Sequence, residues 1–161
     1  MLGVDTADFD KSVDQYIDQL TKALKSSVTQ VMYGTANAVV ENTPVGDTDT
    51  YYDLYLKRFD AEGWAIEEGM LLANWGFHLN TYDSFFNKDI RDTEGDLVTK
   101  SIIEVMQEYK LGDSITASNS TPYATRIEQG QSAQAPLGTV KPTEIALQEI
   151  YKIQFKDFLN G

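Results

Sequence analysis

A short span around residue 130 constrains the fold of this chain most, because it holds a helix start, a helix stop and an uncharged loop. Pro122 lacks an amide hydrogen and suits the first turn of a helix, residues 123–129 supply the turns, and Gly130 can adopt the left-handed conformation that closes it. Residues 131–139 then carry no charge, in a chain that is 24% charged. A segment of this kind is expected to lie against another surface rather than in water.

Apolar residues recur at three- and four-residue steps from Phe9 to about Glu41, which predicts a long amphipathic first helix. Gly34 predicts a bend in it. At about 1.5 Å per residue the helix would be on the order of 50 Å long, so two alternatives stay open. Either the whole apolar stripe packs within its own domain, or part of it meets a neighbouring subunit.

The same periodicity predicts a second helix over 93–109, capped by Asp92 or Thr93, and a last helix that Pro142 opens. Residues 70–79 alternate between two faces and predict the clearest strand, with shorter strands at 64–66 and 114–118. The order of elements predicts an α+β fold with a long N-terminal helix, a small mostly antiparallel sheet and further helices including a C-terminal one. A length of 161 residues predicts a single domain over 1–161.

Composition excludes several classes of function. The chain has no cysteine and one histidine, His78, so thiolate and multi-histidine metal sites cannot form within it. The formal net charge of −12, without a basic stripe, argues against tight DNA binding. No apolar run approaches the roughly 20 residues that span a bilayer, and the first ten residues are acidic, so we expect synthesis in a cytoplasm and no membrane partner.

The residues give little support for an enzyme. Acid pairs such as Asp47 with Asp49 and Glu67 with Glu68 fall in predicted turns or first helical turns, where acids are usually solvated. No nucleophile elbow, phosphate-binding loop or dinucleotide motif occurs in the chain. We therefore expect no catalytic residues, no cofactor and no bound metal, and we interpret His78 as a structural or surface histidine.

Three separated blocks of residues form one pattern along the chain. They are a Thr-Pro-Val block, an Asn-Trp pair and the long block from Asn119 to Val140. The motif residues are Thr43, Pro44, Val45, Asn74, Trp75, Pro122, Tyr123, Glu128 and Gly130. This pattern resembles the neck and tail-completion proteins of tailed bacteriophages, which join head to tail.

This resemblance implies a structural virion subunit at the phage neck or the head-proximal end of the tail, assembled as a homo-oligomeric ring. It implies adjacent connector or tail proteins as partners, a virion location after synthesis in the host bacterium, and DNA passing through the channel without specific binding. A further hypothesis is that some of the acid excess of residues 1–99 lines that channel and repels the DNA phosphates.

The uncharged loop admits two interpretations, a docking surface between subunits or a locally packed segment. The candidate interface residues are Gln131, Ser132, Gln134, Ala135, Pro136 and Gly138. An alternative from another functional class is a soluble acidic cytoplasmic binding module, not an enzyme, whose aromatic residues 51–59 form a ligand groove. A small enzyme that uses the scattered carboxylates ranks third.

Overall fold

A computed structural model describes residues 6–46, 67–84 and 86–160 of the chain. The elements in chain order are α1 (Thr6–Asn42), α2 (Met70–Ala73), β1 (Trp75–Leu79), α3 (Asp96–Glu108), β2 (Ile115–Asn119), α4 (Ala124–Glu128) and α5 (Val140–Asn160). The fold is α+β, as predicted, with a long first helix, a two-stranded antiparallel sheet in the described ranges and a C-terminal helix. The strand predicted at 64–66 and the aromatic segment 51–59 lie outside the described residues.

Helix α1 ends at the first motif block. The Thr43 amide donates to the Val39 carbonyl at 3.0 Å, and the Thr43 hydroxyl donates to the same oxygen at 2.6 Å. Pro44 follows, and the residue before a proline is driven out of the helical region. The buried Thr43 therefore closes the last turn of α1 while Pro44 stops the helix.

The strand predicted over 70–79 is correct only in its second half. Residues Met70–Ala73 form a helical turn in which all four side chains are buried, so both faces of the pattern read as apolar. Gly69 starts this turn at φ 71°, and the Asn74 side-chain amide donates to the Met70 carbonyl at 2.8 Å at its end. The strand β1 begins at Trp75, and it pairs antiparallel with β2 from Trp75 opposite Asn119 to Leu79 opposite Ile115.

Helix α3 begins at Asp96, three residues later than the sequence predicted. The predicted cap, Asp92, is a buried carboxylate that accepts hydrogen bonds from the amides of Gly95 and Leu97, both at 2.7 Å. Asp92 also accepts the Glu94 amide at 3.1 Å, so it holds the turn that precedes the helix. The charge of Asp92 thus stabilises the amino end of α3, although from outside the helix.

The core has two parts. In the larger part, the apolar face of α3 packs against α1 and the sheet, and its buried members are Ala36, Val39, Leu72, Phe77, Val98, Ile102, Val105, Met106 and Tyr109. The smaller part joins α2 to α4 and the uncharged loop, and its buried members are Met70, Leu71, Tyr123, Ile127 and Ala135. Helix α4 is therefore held to the rest of the chain by Tyr123 and Ile127.

Helices α1 and α5 pack against each other in antiparallel directions. The Thr143 hydroxyl donates to the Ala38 carbonyl at 3.3 Å, and further along α5 Ile150 lies against Gly34. A methyl group added at Gly34 would come within 2.8 Å of Ile150 Cδ1. The helix is continuous through Gly34, where the sequence suggested a bend, and the glycine gives Ile150 room to approach.

Candidate functional site

The structure brings the three motif blocks together. Pro44 and Val45 of the first block line a small crevice with Tyr123 and Ile127 of the last block. The Asn119 side-chain amide donates to the Leu71 carbonyl at 2.7 Å, just before the Asn-Trp pair. Residues far apart in sequence therefore form one continuous region around α4.

Glu128 connects the last turn of α4 to the start of α5. Its Oε2 atom accepts hydrogen bonds from the Thr139 amide at 2.9 Å, the Thr139 hydroxyl at 3.2 Å and the Val140 amide at 2.9 Å. The first amides of a helix lack partners within the helix, and its positive dipole end favours a carboxylate. Glu128 thus caps α5 although it lies outside that helix, and its side chain joins the two ends of the uncharged loop.

The surroundings of Glu128 shift its acidity. Burial by itself raises the pKa of the Glu128 carboxyl, but the hydrogen bonds from the amides of Val140 and Thr139, the Thr139 hydroxyl and the Lys141 amide outweigh it. The pKa of Glu128 is consequently lowered from its ordinary value of 4.5. Glu128 is ionised at neutral pH, as a cap requires.

Two glycines in this region have positive φ and leave no room for a side chain. Gly130 has φ 77°, and a methyl group there would lie 2.6 Å from the Pro136 carbonyl oxygen. Gly138 also has φ 77°, and a methyl group there would lie 2.7 Å from the Glu128 carbonyl and carboxylate. The predicted role of Gly130 in closing α4 is therefore confirmed, and Gly138 lets the backbone of the loop return close to Glu128.

The six candidate interface residues divide between the inside and the outside of this loop. Ser132, Ala135 and Gly138 are buried against the chain itself. The exposed candidates are Gln131, Gln134 and Pro136. Local packing thus explains the absence of charge on the inner side, and the outer side forms an uncharged surface.

The outer surface includes one large apolar side chain that the sequence analysis did not single out. Leu137 follows Pro136 and is 66% exposed. Gln134 accepts a hydrogen bond from the Gly46 amide at 3.2 Å, which joins the loop to the first motif block. We call residues 131–139 the docking loop, after the interface role that the sequence analysis expects for them, and Pro136 and Leu137 form its exposed tip.

The Asn-Trp pair has a structural role beside the loop. The Asn74 amide donates to the Met70 carbonyl and, at 3.0 Å, to the Asn87 carbonyl, while its oxygen accepts the Asn87 amide at 2.8 Å. Asn74 therefore holds the segment that connects β1 to α3. Sequence reasoning identified Asn74 only as a motif residue and did not predict this clamp.

Trp75 and His78 line a shallow groove of about 110 Å³ together with Asn74. The indole Nε1 is buried and has no hydrogen-bond acceptor among the residues that the structure describes. A methyl group at Gly76 would lie 2.8 Å from His78 Nε2, so Gly76 leaves space for the imidazole. Asp83 and Ser118 also line the groove, where the Ser118 hydroxyl donates to the Asp83 carbonyl at 3.0 Å.

Other classes of site find no support in the described part of the chain. Within 6–46, 67–84 and 86–160, no group of three or more histidine, aspartate or glutamate side chains is arranged to hold a metal ion. Among the helices of these ranges, none is both long and apolar enough to cross a bilayer.

One sequence signal for the Glu128 clamp was present but not used. Glu128 is the single charged residue between Arg126 and Lys141, and an acid that folding partly buries beside an uncharged loop needs hydrogen-bond donors within reach.

In comparisons with known proteins, no family model, no curated protein and no solved structure matches the chain.

Proposed function

We propose that this chain is a structural subunit of a phage neck or of the head-proximal end of a tail, assembling as a ring that joins head to tail. The observation that carries the proposal is the convergence of the three motif blocks on one region, with the docking loop held in a defined shape at its outer edge. Each contact in such a ring is heterologous, so one face of a subunit meets a different face of the next.

The docking loop suits a contact of this kind. Glu128 and the two glycines hold its backbone, so little conformational entropy is lost when it binds. Its tip presents Pro136 and Leu137 without any charge that would have to be desolvated. A small apolar projection of this type fits an uncharged pocket on a neighbouring virion subunit.

The acidic residues of the first helix support the idea of a DNA channel in the same proposal. Asp8, Asp10, Asp14 and Asp18 all lie on the exposed N-terminal half of α1. Carboxylates that face a channel would repel DNA phosphates and let the genome pass without binding. Adjacent connector and tail proteins complete the proposed set of partners.

The decisive experiment compares two exposed leucines in a phage that carries the gene. Leu137→Glu places a charge on the docking loop, whereas Leu111→Glu places the same charge on the exposed turn after α3. We expect Leu137→Glu to lower the yield of joined particles at least tenfold while the purified variant unfolds like the wild type, and Leu111→Glu to assemble normally. Equal yields of joined particles from the two variants would show that the docking loop does not form the contact.

Particles made without the protein test the function itself. Filled heads beside separate, complete tails are the expected result, because a joining subunit acts after packaging and after tail assembly. Normal virions, or cells that lose a metabolic activity and no particle function, would refute the neck assignment and favour a cytoplasmic binding module.

A further inference from the structure

The N-terminal half of α1 projects beyond the rest of the described chain. Ile150 of α5 lies against Gly34, and α5 runs antiparallel for ten more residues to Asn160, so it ends beside about residue 24 of α1. Residues 6–26 are all exposed, whereas burial begins at Ser27. About five turns of α1 therefore have no helix packed against them within the described residues.

This free half of α1 carries a large apolar stripe, made of Phe9, Val13, Tyr16, Ile17, Leu20 and Leu24. Phe9 is 68% exposed and Tyr16 is 65% exposed. Ile17, Leu24 and Val31 precede Ala38 at steps of seven residues, which is close to two helical turns. The stripe thus continues the face on which α1 contacts α5.

The spacing of the stripe is the same in both directions along the helix. Its six members are separated by four, three, one, three and four residues. If a second α1 lies antiparallel on the first, Phe9 of each helix meets Leu24 of the other, Val13 meets Leu20, and Tyr16 meets Ile17. Every apolar side chain then finds an apolar partner, which a self-complementary two-fold contact requires.

The charges along α1 favour the same arrangement. Residues 6–18 contain Asp8, Asp10, Asp14, Asp18 and Lys11, so their net charge is −3, since four acids oppose one base. Residues 19–40 contain Lys22 and Lys25 and no acid, so their net charge is +2. An antiparallel pair places each acidic half over a basic half, whereas a parallel pair places like charges together.

We propose that the occupant of this stripe is the α1 helix of a second copy of the chain, packed antiparallel about a two-fold axis between Tyr16 and Ile17. The partner helix then lies end to end with α5 along the same face of α1. A two-fold contact cannot repeat around a simple cyclic ring, so we assign the pair to the subunit before assembly. The inference is independent of the proposed neck function.

Single cysteines test the pairing directly, because the chain has no cysteine of its own. In the antiparallel pair, residue 17 of one helix lies within about 1.5 Å along the axis of residue 17 of the other, whereas the two copies of residue 13 lie about 10 Å apart. A disulfide needs Cα atoms within roughly 7 Å. Under mild oxidation we expect Ile17→Cys to form a covalent dimer in more than half of the protein and Val13→Cys to remain almost entirely monomeric on a denaturing gel.

Each other outcome contradicts the pairing. Dimers from both cysteine variants would indicate a parallel arrangement, and dimers from neither would show that something other than a second α1 covers the stripe.

A charge exchange provides an independent test. One double variant, Asp10→Lys with Asp14→Lys, makes the acidic half of α1 basic, and the other, Lys22→Glu with Lys25→Glu, makes the basic half acidic. Each double variant alone should dimerise at least tenfold more weakly than the wild type by sedimentation, and an equal mixture of the two should regain the dimer. A mixture as weak as its components would also overturn the inference.

The outcome of these dimerisation experiments can be distinguished from the outcome of the tests of the neck function. A solution dimer joined through Ile17 in a protein that is absent from virions would support the pairing and refute the neck assignment. A protein found in virion necks whose Ile17→Cys variant forms no dimer would do the reverse.

Discussion

The Glu128 carboxylate accepts hydrogen bonds from both the amide and the hydroxyl of Thr139, at 2.9 and 3.2 Å, across the whole length of the docking loop. A single side chain at the end of α4 thereby closes the loop and caps α5. Because Gly138 sits against the same carboxylate, the loop returns to Glu128 along a path that only glycine can follow. The shape of the loop therefore depends on contacts within the chain and is present before any partner binds.

The first prediction concerns the charge of this cap. Glu128→Gln keeps the shape of the side chain but removes the charge that strengthens its hydrogen bonds to Thr139 and Val140. We expect a loss of about 1 kcal/mol in the free energy of unfolding, measured by urea denaturation. Glu108→Gln, on an exposed acid at the end of α3, is the control and should change stability by only a few tenths of a kcal/mol. Equal effects at the two sites would mean that Glu128 does not act as a cap.

The second prediction follows from the lowered pKa of Glu128. The folded chain binds a proton at this carboxylate less tightly than the unfolded chain does, so ionised Glu128 favours folding. This stabilisation is complete above the ordinary pKa of 4.5 and is lost as the pH falls through the lower pKa of the folded state. The stability difference between the wild type and Glu128→Gln should therefore be constant near neutrality and shrink below pH 4.5.

A comparison of the two proteins at each pH isolates Glu128 from other acids. Asp113 also has a lowered pKa, because the Asn80 side chain and the Lys110 backbone amide donate to it, but it titrates equally in both proteins. Parallel urea titrations between pH 3 and 7 would measure the difference. A gap that widens on acidification would contradict the direction of the Glu128 shift.

The third prediction distinguishes the two reasons why position 130 requires glycine, its positive φ and its close approach to Pro136. Gly130→Ala must hold alanine at φ 77° and also place its methyl group 2.6 Å from the Pro136 carbonyl oxygen. Gly112 has φ 100° and nothing within 4 Å of an added methyl group, so Gly112→Ala carries a torsional cost without a steric contact. We expect about 1–2 kcal/mol of destabilisation for Gly112→Ala and at least about 1 kcal/mol more for Gly130→Ala, by thermal or urea unfolding. If both variants unfold alike, the close approach to Pro136 is not required.

The fourth prediction tests the Asn74 clamp. Asn74→Ala removes both hydrogen bonds with the Asn87 backbone and leaves that amide and carbonyl without their partner. We expect destabilisation of about 2 kcal/mol, together with faster hydrogen exchange at the Asn87 amide. Asn37→Ala, at an exposed position within α1, should leave the protein as stable as before or slightly more so. Unchanged exchange at Asn87 would show that the clamp is dispensable.

Regular periodicity predicted the long elements of this fold. The three- and four-residue steps placed α1 and α3 within a few residues of their observed bounds. One face of α3 and of the C-terminal part of α1 is buried in a shared core, whereas residues 6–26 of α1 keep the same spacing although they are exposed. The strand predicted at 70–79 failed at Met70–Ala73, where all four side chains are buried. With apolar residues on every side, alternation and helical spacing give the same pattern, and tertiary packing decides between them.

The candidate site was harder to predict because composition does not distinguish two causes of the same pattern. A segment that packs on its own chain and a segment that packs on a partner both exclude charge. In the docking loop Ser132 and Ala135 are buried by the chain itself, whereas Pro136 and Leu137 are exposed. The clamp by Glu128 depends on a contact eleven residues away in sequence, which no local periodicity reports.

The last prediction concerns Gly34, which the sequence suggested as a bend in α1 and the structure places against Ile150 of α5. Gly34→Ala should gain roughly 1 kcal/mol of helix propensity, but its methyl group would come within 2.8 Å of Ile150 Cδ1. Ile150→Val removes that δ-methyl group, so the two changes should be coupled. We expect Gly34→Ala to be at least about 0.5 kcal/mol more favourable in the Ile150→Val background than in the wild type.

A double-mutant cycle in urea measures this coupling, because the four proteins differ only at the contact between α1 and α5. If Gly34 instead served as a bend, alanine would straighten α1 and have the same effect whichever residue occupied position 150. Additive effects would therefore support the bend, whereas coupling shows that the glycine is present because Ile150 approaches the backbone of α1. That close approach seats α5 on the backbone of α1 beside Gly34, while residues 6–26 of α1 are exposed in the part of the chain that the structure describes.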